Sequence, residues 1–251
     1  MSNVVFTRVL EIDEVLSTSA EAKRLCTEVN GQNLAVWTRK QTQGRGQVGA
    51  SWFTGDEKDI AVSFVFYPGS FPVQKQFLLN MVVCNAVYNY VKSNVNKEVS
   101  IKWPNDVLIG QKKVCGILIE NVLRGNTIDH SVIGIGLNVN STEFPENLPR
   151  ATSIAIENFA FIGSQRSETM DLTDHIAKHL SMFYEPVLNE VLIRETYLKH
   201  LFGINKELTF TKEGNEFKGT ITGVDDNGKL KMMVDGKEEL FGFKEIQFLY
   251  L

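Results

Sequence analysis

Two long apolar runs joined by a three-residue turn constrain this chain more than any other feature of its sequence. Residues 113–123 (KVCGILIENVL) and 127–139 (TIDHSVIGIGLNV) are separated only by Arg124-Gly125-Asn126, which predicts a strand, a turn and a second strand. Further strands are expected at 33–38 (NLAVWT), at 59–67 (DIAVSFVFY) and in a short run ending at Lys102. Residues 74–92 carry apolar side chains all around and predict a helix buried on most sides. Thr18 and Glu21 have the spacing of a capping box for a helix that stops at Asn30-Gly31. Residues 171–202 turn helical again, as two helices broken near Pro186. Strands in the middle with helices before and after them describe a mixed α+β layer, not a βαβ repeat.

After Gly203 the pattern changes. Short alternating runs are separated by Gly214-Asn215, Asp226-Asn227-Gly228 and Asp235-Gly236, all hairpin signals. About five short strands of this kind make a small barrel. The expected division is therefore 1–202 and 203–251.

The bulk numbers exclude some classes. A net charge of −4 and a pI near 5.7 speak against nucleic acid as the main partner. No run of about 18 apolar residues suggests a membrane span, and no signal peptide is visible. Cys26, Cys84 and Cys115 are odd in number and scattered, as expected of reduced thiols in a cytoplasm. His175 and His179 stand at i, i+4 without the HExxH glutamate or an evident third ligand, so an exposed helix face is expected there and no metal site.

Three segments carry chemistry. The first, residues 41–52 (QTQGRGQVGASW), places three glycines and Arg45 ahead of Trp52. Such a loop brings backbone N–H groups and a guanidinium to an anion, and the indole face to a ring. It is neither a P-loop nor a dinucleotide fingerprint. It is also too rich in glycine and polar residues for a strand or helix. The second, residues 102–106 (KWPND), ends a strand in a tight turn, and Lys113 opens the apolar run that follows. A lysine there can hold a fixed positive charge inside a cleft. The third, residues 133–140 (IGIGLNVN), has glycines inside a strand, which mark close approach by a ligand or another backbone. Asn138 carries the donor and acceptor that an adenine edge requires. Each segment alone also reads as an ordinary turn, hairpin or bulge.

Together, GRGxxGxxW, KWPNDVLIGQKKVCGILIE and GIGLNVN resemble the biotin protein ligases, in that family's order and across essentially the whole chain. The resemblance implies a class II synthetase-like mixed sheet flanked by helices, with a small SH3-like β-barrel at the C-terminal end. It implies an enzyme that forms biotinyl-5′-AMP from biotin and Mg2+·ATP. The biotinyl group then passes to a lysine of a biotin carboxyl carrier protein or domain. By resemblance, Ser17, Thr18 and Gln41 contact the ureido ring, and Gly44 and Arg45 close over biotin and phosphate. Lys113 holds the reacting oxygens, and Asn105 and Asp106 lie beside the reacting centre, Asp106 orienting or deprotonating the incoming lysine. Gly116, Leu118, Gly134 and Gly136 line the pocket. Gly46, Gln47, Trp52 and Asn138 belong to the ATP side, Trp52 stacking on adenine. A sheet edge used for a homodimer or for docking the carrier is also expected.

The chain departs from the pattern in two places. Many relatives read GRGRxGR, whereas Gln47 and Ala50 replace the later arginines, so the loop is expected to hold the adenylate less tightly unless Arg39 or Lys40 compensates. Ser19 replaces the asparagine of the entry signature. The rivals are a lipoate ligase, whose RRxxGGG-like motif is missing, a DNA-binding repressor, and a non-catalytic biotin-binding regulator. Catalytic-type sequence within the first twenty residues leaves no room for a helix-turn-helix, and Lys113 with Asp106 argues for turnover.

Overall fold

The computed structural model describes residues 4–28, 31–47, 49–54, 57–161, 163–184 and 188–249. Its first strands and helix are β1 (Arg8–Val15), α1 (Thr18–Cys26), β2 (Leu34–Gln41), β3 (Gly44–Arg45), β4 (Ser51–Trp52), β5 (Ile60–Phe66) and β6 (Phe71–Pro72). The middle of the chain forms α2 (Gln76–Asn94), β7 (Val99–Lys102), β8 (Asp106–Ile109), β9 (Lys112–Arg124) and β10 (Thr127–Leu137). Then come α3 (Ile154–Glu157), α4 (Gln165–Leu180) and α5 (Leu188–Lys199). The last part is β11 (Glu207–Lys212), β12 (Asn215–Val224), β13 (Leu230–Val234), β14 (Lys237–Phe241) and β15 (Gln247–Leu249).

The expected pair of long strands is β9 and β10, antiparallel and in register from Thr127–Arg124 to Leu137–Cys115, with one shift near Ile128. Around them an eight-stranded sheet runs β1-β2-β5-β10-β9-β8-β7, with β6 also on β10. Among the strand pairs of the described residues, β1–β2 alone is parallel. Successive strand residues face opposite sides. Ile60, Val62, Phe64 and Phe66 of β5 and Ile133, Ile135 and Leu137 of β10 therefore enter the main core with the buried side chains of α2 and α4. Leu34, Val36, Val65 and Val132 pack against Ala22 and Leu25 of α1 on the other face.

Several expectations are corrected. Ser17, not Thr18, caps α1, and no side-chain capping bond forms; the Thr18 hydroxyl bonds to Gln41 instead. The glycine-rich segment is not wholly irregular. It makes the short antiparallel pair β3–β4, two residues on each side, where Gly46 N–H reaches Ala50 O at 2.7 Å and Gly49 takes φ 78°. His175 and His179 are half-buried against α2, where the His179 ring lies 2.9 Å from Asn89 Nδ2. The C-terminal strands form an open antiparallel sheet, β14-β13-β12-β11-β15, and not a closed barrel. The end strands have five and three residues. Phe241, Phe217, Phe210 and Phe248 bring them together through ring contacts rather than backbone pairing. Asn30, Val48 and the break near Pro186 lie outside the described residues. No helix among the described residues is long and apolar enough to cross a membrane.

Candidate active site

A cavity of about 690 Å3 opens on the α1 side of the large sheet. Its base is set by strand alternation: Gly134 and Gly136 of β10 and Leu118 and Gly116 of β9 are the residues that do not enter the core. Gly136, Gly116, Asp106 and Lys102 lie in register across β10, β9, β8 and β7. Strand glycines are expected to mark close approach by a ligand or another backbone, and here the neighbours are side chains of the chain itself. A Cβ on Gly136 would stand 2.2 Å from Trp52 Cε2, and one on Gly116 2.8 Å from Trp52 Cζ3. A Cβ on Gly134 would stand 2.6 Å from Ser19 Oγ.

Lys113 reaches this base because of a bulge. Lys113 and Gly116 are three residues apart and would face opposite sides of a regular strand. The β8–β9 register shifts between Val107 and Leu108, and the extra residue turns Lys113 to the same side as Gly116. Its ammonium lies 2.7 Å from Asp106 Oδ1 and 5.4 Å from the Trp52 ring centre.

The KWPND turn is held from several sides. Pro104 O accepts from Asn80 Nδ2 at 2.7 Å and from Tyr197 OH at 3.1 Å. Asn105 Nδ2 donates to Ile117 O, while Ile117 N–H donates to Asn105 O. Trp103 Nε1 donates to Gly228 O at 2.9 Å, tying the turn to the C-terminal sheet. The Trp103-Pro104 peptide is cis.

At the β5 and β10 side, Ser17, Thr18, Ser19 and Gln41 line the cavity. Gln41 Oε1 accepts from Thr18 N–H at 2.9 Å and from its hydroxyl at 3.2 Å. Arg45, Gly46 and Gln47 form one rim. Gly44 does not reach the wall, and is buried beneath Gln41 Nε2 and Trp52 O. Arg39 and Lys40 do not line the cavity; they pair with Glu11 and Glu14 of β1.

Asn138 lines a second cavity of about 300 Å3, which shares Trp52 and Lys113 with the first. Asn138 Nδ2 donates to Thr152 O at 2.9 Å. Its Oδ1 and Trp52 Nε1 are buried polar atoms without a hydrogen-bond partner, as expected of groups that meet a ligand. Arg150, Phe53, Phe144 and Leu148 complete that cavity.

Two groups escaped sequence reasoning. Lys102 lines the main cavity with its ammonium 5.1 Å from the Phe248 ring centre. Burial pulls its pKa down, with Asp106 opposing. KWPND carried that signal, but nothing in it said which way Lys102 points. Phe243, Lys244, Ile246, Gln247 and Phe248 also line the cavity, and no motif marks them.

The chain matches the Biotin/lipoate A/B protein ligase family over residues 12–138. It is 28% identical over 223 residues to the bifunctional ligase/repressor BirA of Bacillus spizizenii, covering 87% of this chain and 67% of that protein. It is 32% identical over 152 residues to the biotin–[acetyl-CoA-carboxylase] ligase of Mycobacterium tuberculosis, covering 57% and 54%. Among solved structures, the biotin protein ligase of Aquifex aeolicus in complex with biotin and ATP superposes with a TM-score of 0.78 at 25% identity, over 97% of this chain and 99% of that one. With its family match, its relatives and its fold in agreement, this chain belongs to the biotin/lipoate A/B protein ligase family, among the biotin protein ligases.

Proposed function

We propose that this protein is an ATP-driven ligase that forms biotinyl-5′-AMP and transfers the biotinyl group to a lysine of a biotin carboxyl carrier protein or domain. The observation that carries the reading is the Lys113–Asp106 pair on β9 and β8. It stands between the hydroxyl-lined wall over β5 and β10 and the Lys102 wall on β7. A biotin carboxylate and the α-phosphate of ATP repel each other as they meet. The Lys113 ammonium is placed to neutralise the oxygens of both as pyrophosphate leaves. The product is a mixed anhydride, so no covalent bond to the enzyme is needed. In the second step the carrier's lysine amine attacks the anhydride carbonyl, AMP leaves, and Asp106 receives the amine proton. Holding the partners in line accounts for roughly 7–11 kcal/mol of such a barrier.

Ser17, Thr18, Gln41, Leu118 and Gly134 receive the biotin ring, and Arg45, Gly46 and Gln47 close over the phosphate. Asn105 holds β8 to β9 beside the reacting atoms. Trp52 and Asn138, with their unpartnered polar atoms, face the adenine. Among the described residues no three carboxylate, imidazole or thiol groups converge to cage a metal, and Asp106 is the carboxylate lining the main cavity. Magnesium would fit this donor set as an ion brought with ATP, with Asp106 the carboxylate near enough to help hold it, and it would lower the phosphate charge. Residues 1–202 form the catalytic unit in this reading, and 203–251 add Lys244 and Gln247 to its wall. The outer strand β1 is the edge where a carrier hairpin or a second copy would add.

The test is exchange of labelled pyrophosphate into ATP by the purified protein, with biotin and lipoate in parallel. Exchange with biotin supports the reading. Exchange with lipoate alone moves the protein to the other half of the family, and no exchange with either sinks the ligase assignment.

A further inference from the structure

Ser63 is the polar residue of β5 (IAVSFVF), fully buried and behind the cavity wall rather than on it. Its hydroxyl belongs to a chain. Ser19 Oγ lies 3.0 Å from Ser63 Oγ, Ser63 Oγ lies 2.9 Å from Thr18 Oγ1, and Thr18 Oγ1 lies 3.2 Å from Gln41 Oε1. The backbone N–H of Thr18 points at the same Gln41 atom from 2.9 Å.

That N–H fixes every proton in the chain. A backbone amide only donates, so the Gln41 atom it meets is the carbonyl oxygen, and the Thr18 hydroxyl beside that oxygen must donate as well. Each hydroxyl has one proton. With its own given to Gln41, Thr18 accepts from Ser63; with its own given to Thr18, Ser63 accepts from Ser19. Ser19, which does line the cavity, is left with only lone pairs for a ligand. Gln41, its oxygen occupied twice, is left with amide N–H.

We propose that Ser63 is a specificity-determining positioning residue: without touching the ligand, it makes Ser19 an obligate acceptor and so selects a head group that carries N–H beside a carbonyl. The inference rests on biotin being the substrate, because its ureido ring presents both groups. A dithiolane presents neither. A cyclic carbamate, in which oxygen replaces one ureido N–H, sets lone pairs against lone pairs, a mismatch that a site built to hydrogen-bond rejects strongly.

The experiment measures binding of biotin and of its two cyclic carbamate analogues by calorimetry. The parent protein is expected to prefer biotin over the poorer carbamate by at least about 100-fold. In Ser63→Ala, Ser19 is free to rotate and donate, and that ratio should fall at least about tenfold. Ser63→Thr keeps the hydroxyl and should stay within about threefold of the parent. A folded Ser63→Ala protein with the parent's ratio, or a Ser63→Thr protein that loses it, overturns the proposal. A parent protein that binds none of the three compounds overturns the functional reading beneath it instead.

Discussion

The ammonium of Lys113 lies 2.7 Å from a carboxylate oxygen of Asp106, and the two groups remain 40% and 20% exposed. A pair so open to water adds little to stability, so its placement is a matter of chemistry. Lys113→Ala should lower biotin-dependent pyrophosphate exchange by about 100- to 1,000-fold, with the melting temperature shifted by no more than about 2 °C. Asp106→Asn should slow transfer to the carrier more than it slows exchange. Equal losses in both half-reactions would remove the proton-accepting role of Asp106.

Gly136 and Gly134 sit two residues apart on one strand but beneath different groups. Gly136→Ala collides with the Trp52 indole and Gly134→Ala with Ser19 Oγ. The first should raise KM for ATP at least about tenfold and shift tryptophan emission, and the second should raise KM for biotin by a similar factor. Steady-state kinetics with each substrate varied in turn separates them, and both variants moving the same constant would count against the two assignments.

Gln47 lines the main cavity at a position where the family resemblance implies an arginine. A charged hydrogen bond contributes about 1.5–3 kcal/mol where a neutral one contributes about 0.5–1.5. Gln47→Arg should therefore slow release of biotinyl-5′-AMP roughly tenfold, read as less labelling of bystander lysines in the absence of carrier. Unchanged labelling would show that the missing charge does not set retention.

Asp59 is fully buried at the entrance to β5. Its Oδ1 accepts the N–H groups of Val139, Asn140 and Ser141 at 2.8, 3.2 and 3.2 Å, and its Oδ2 accepts the Ser141 hydroxyl at 2.5 Å. It thus holds the segment that follows Asn138. Asp59→Asn keeps a carbonyl oxygen for the three N–H groups but replaces the charged acceptor by a neutral amide whose NH2 meets the Ser141 hydroxyl. It should cost about 1–3 kcal/mol, measurable by urea unfolding.

His175, His179 and His200 all titrate below the ordinary histidine value of 6.5 because burial disfavours their charged form. The folded state then binds fewer protons than the unfolded chain. Their contribution is complete above about pH 6.5 and is lost as pH falls toward their folded values. Thermal unfolding followed from about pH 7.5 to 5 should show a declining melting temperature, and His179→Gln should flatten the decline. Asp129, Glu157 and Glu190 are likewise held below their ordinary carboxylate values, so their contribution is lost in the same sense but only at more acid pH.

The sequence by itself determined the β9–turn–β10 unit, the buried helix α2 and the residue chemistry of the three motifs. These rest on local rules: apolar period, turn residues and the donor or acceptor character of a side chain. Arg45 and Lys113 could be singled out from such patterns, and Ser17, Thr18, Gln41 and Asp106 from the family resemblance; the cavity brings all six together. Only the tertiary structure decided which way they face. Alternation along a regular strand would have turned Lys113 away from Gly116, and a bulge set by pairing with β8 reversed it. Strand glycines signalled close approach, but not that Trp52 and Ser19 would fill the space above them. Ser63 looked like one polar residue in an apolar strand, and Phe248 like one more barrel aromatic. Their roles depend on neighbours 44 residues from Ser63, and on Lys102 far back along the chain from Phe248. Such contacts are set by packing of whole elements, for which no local pattern exists.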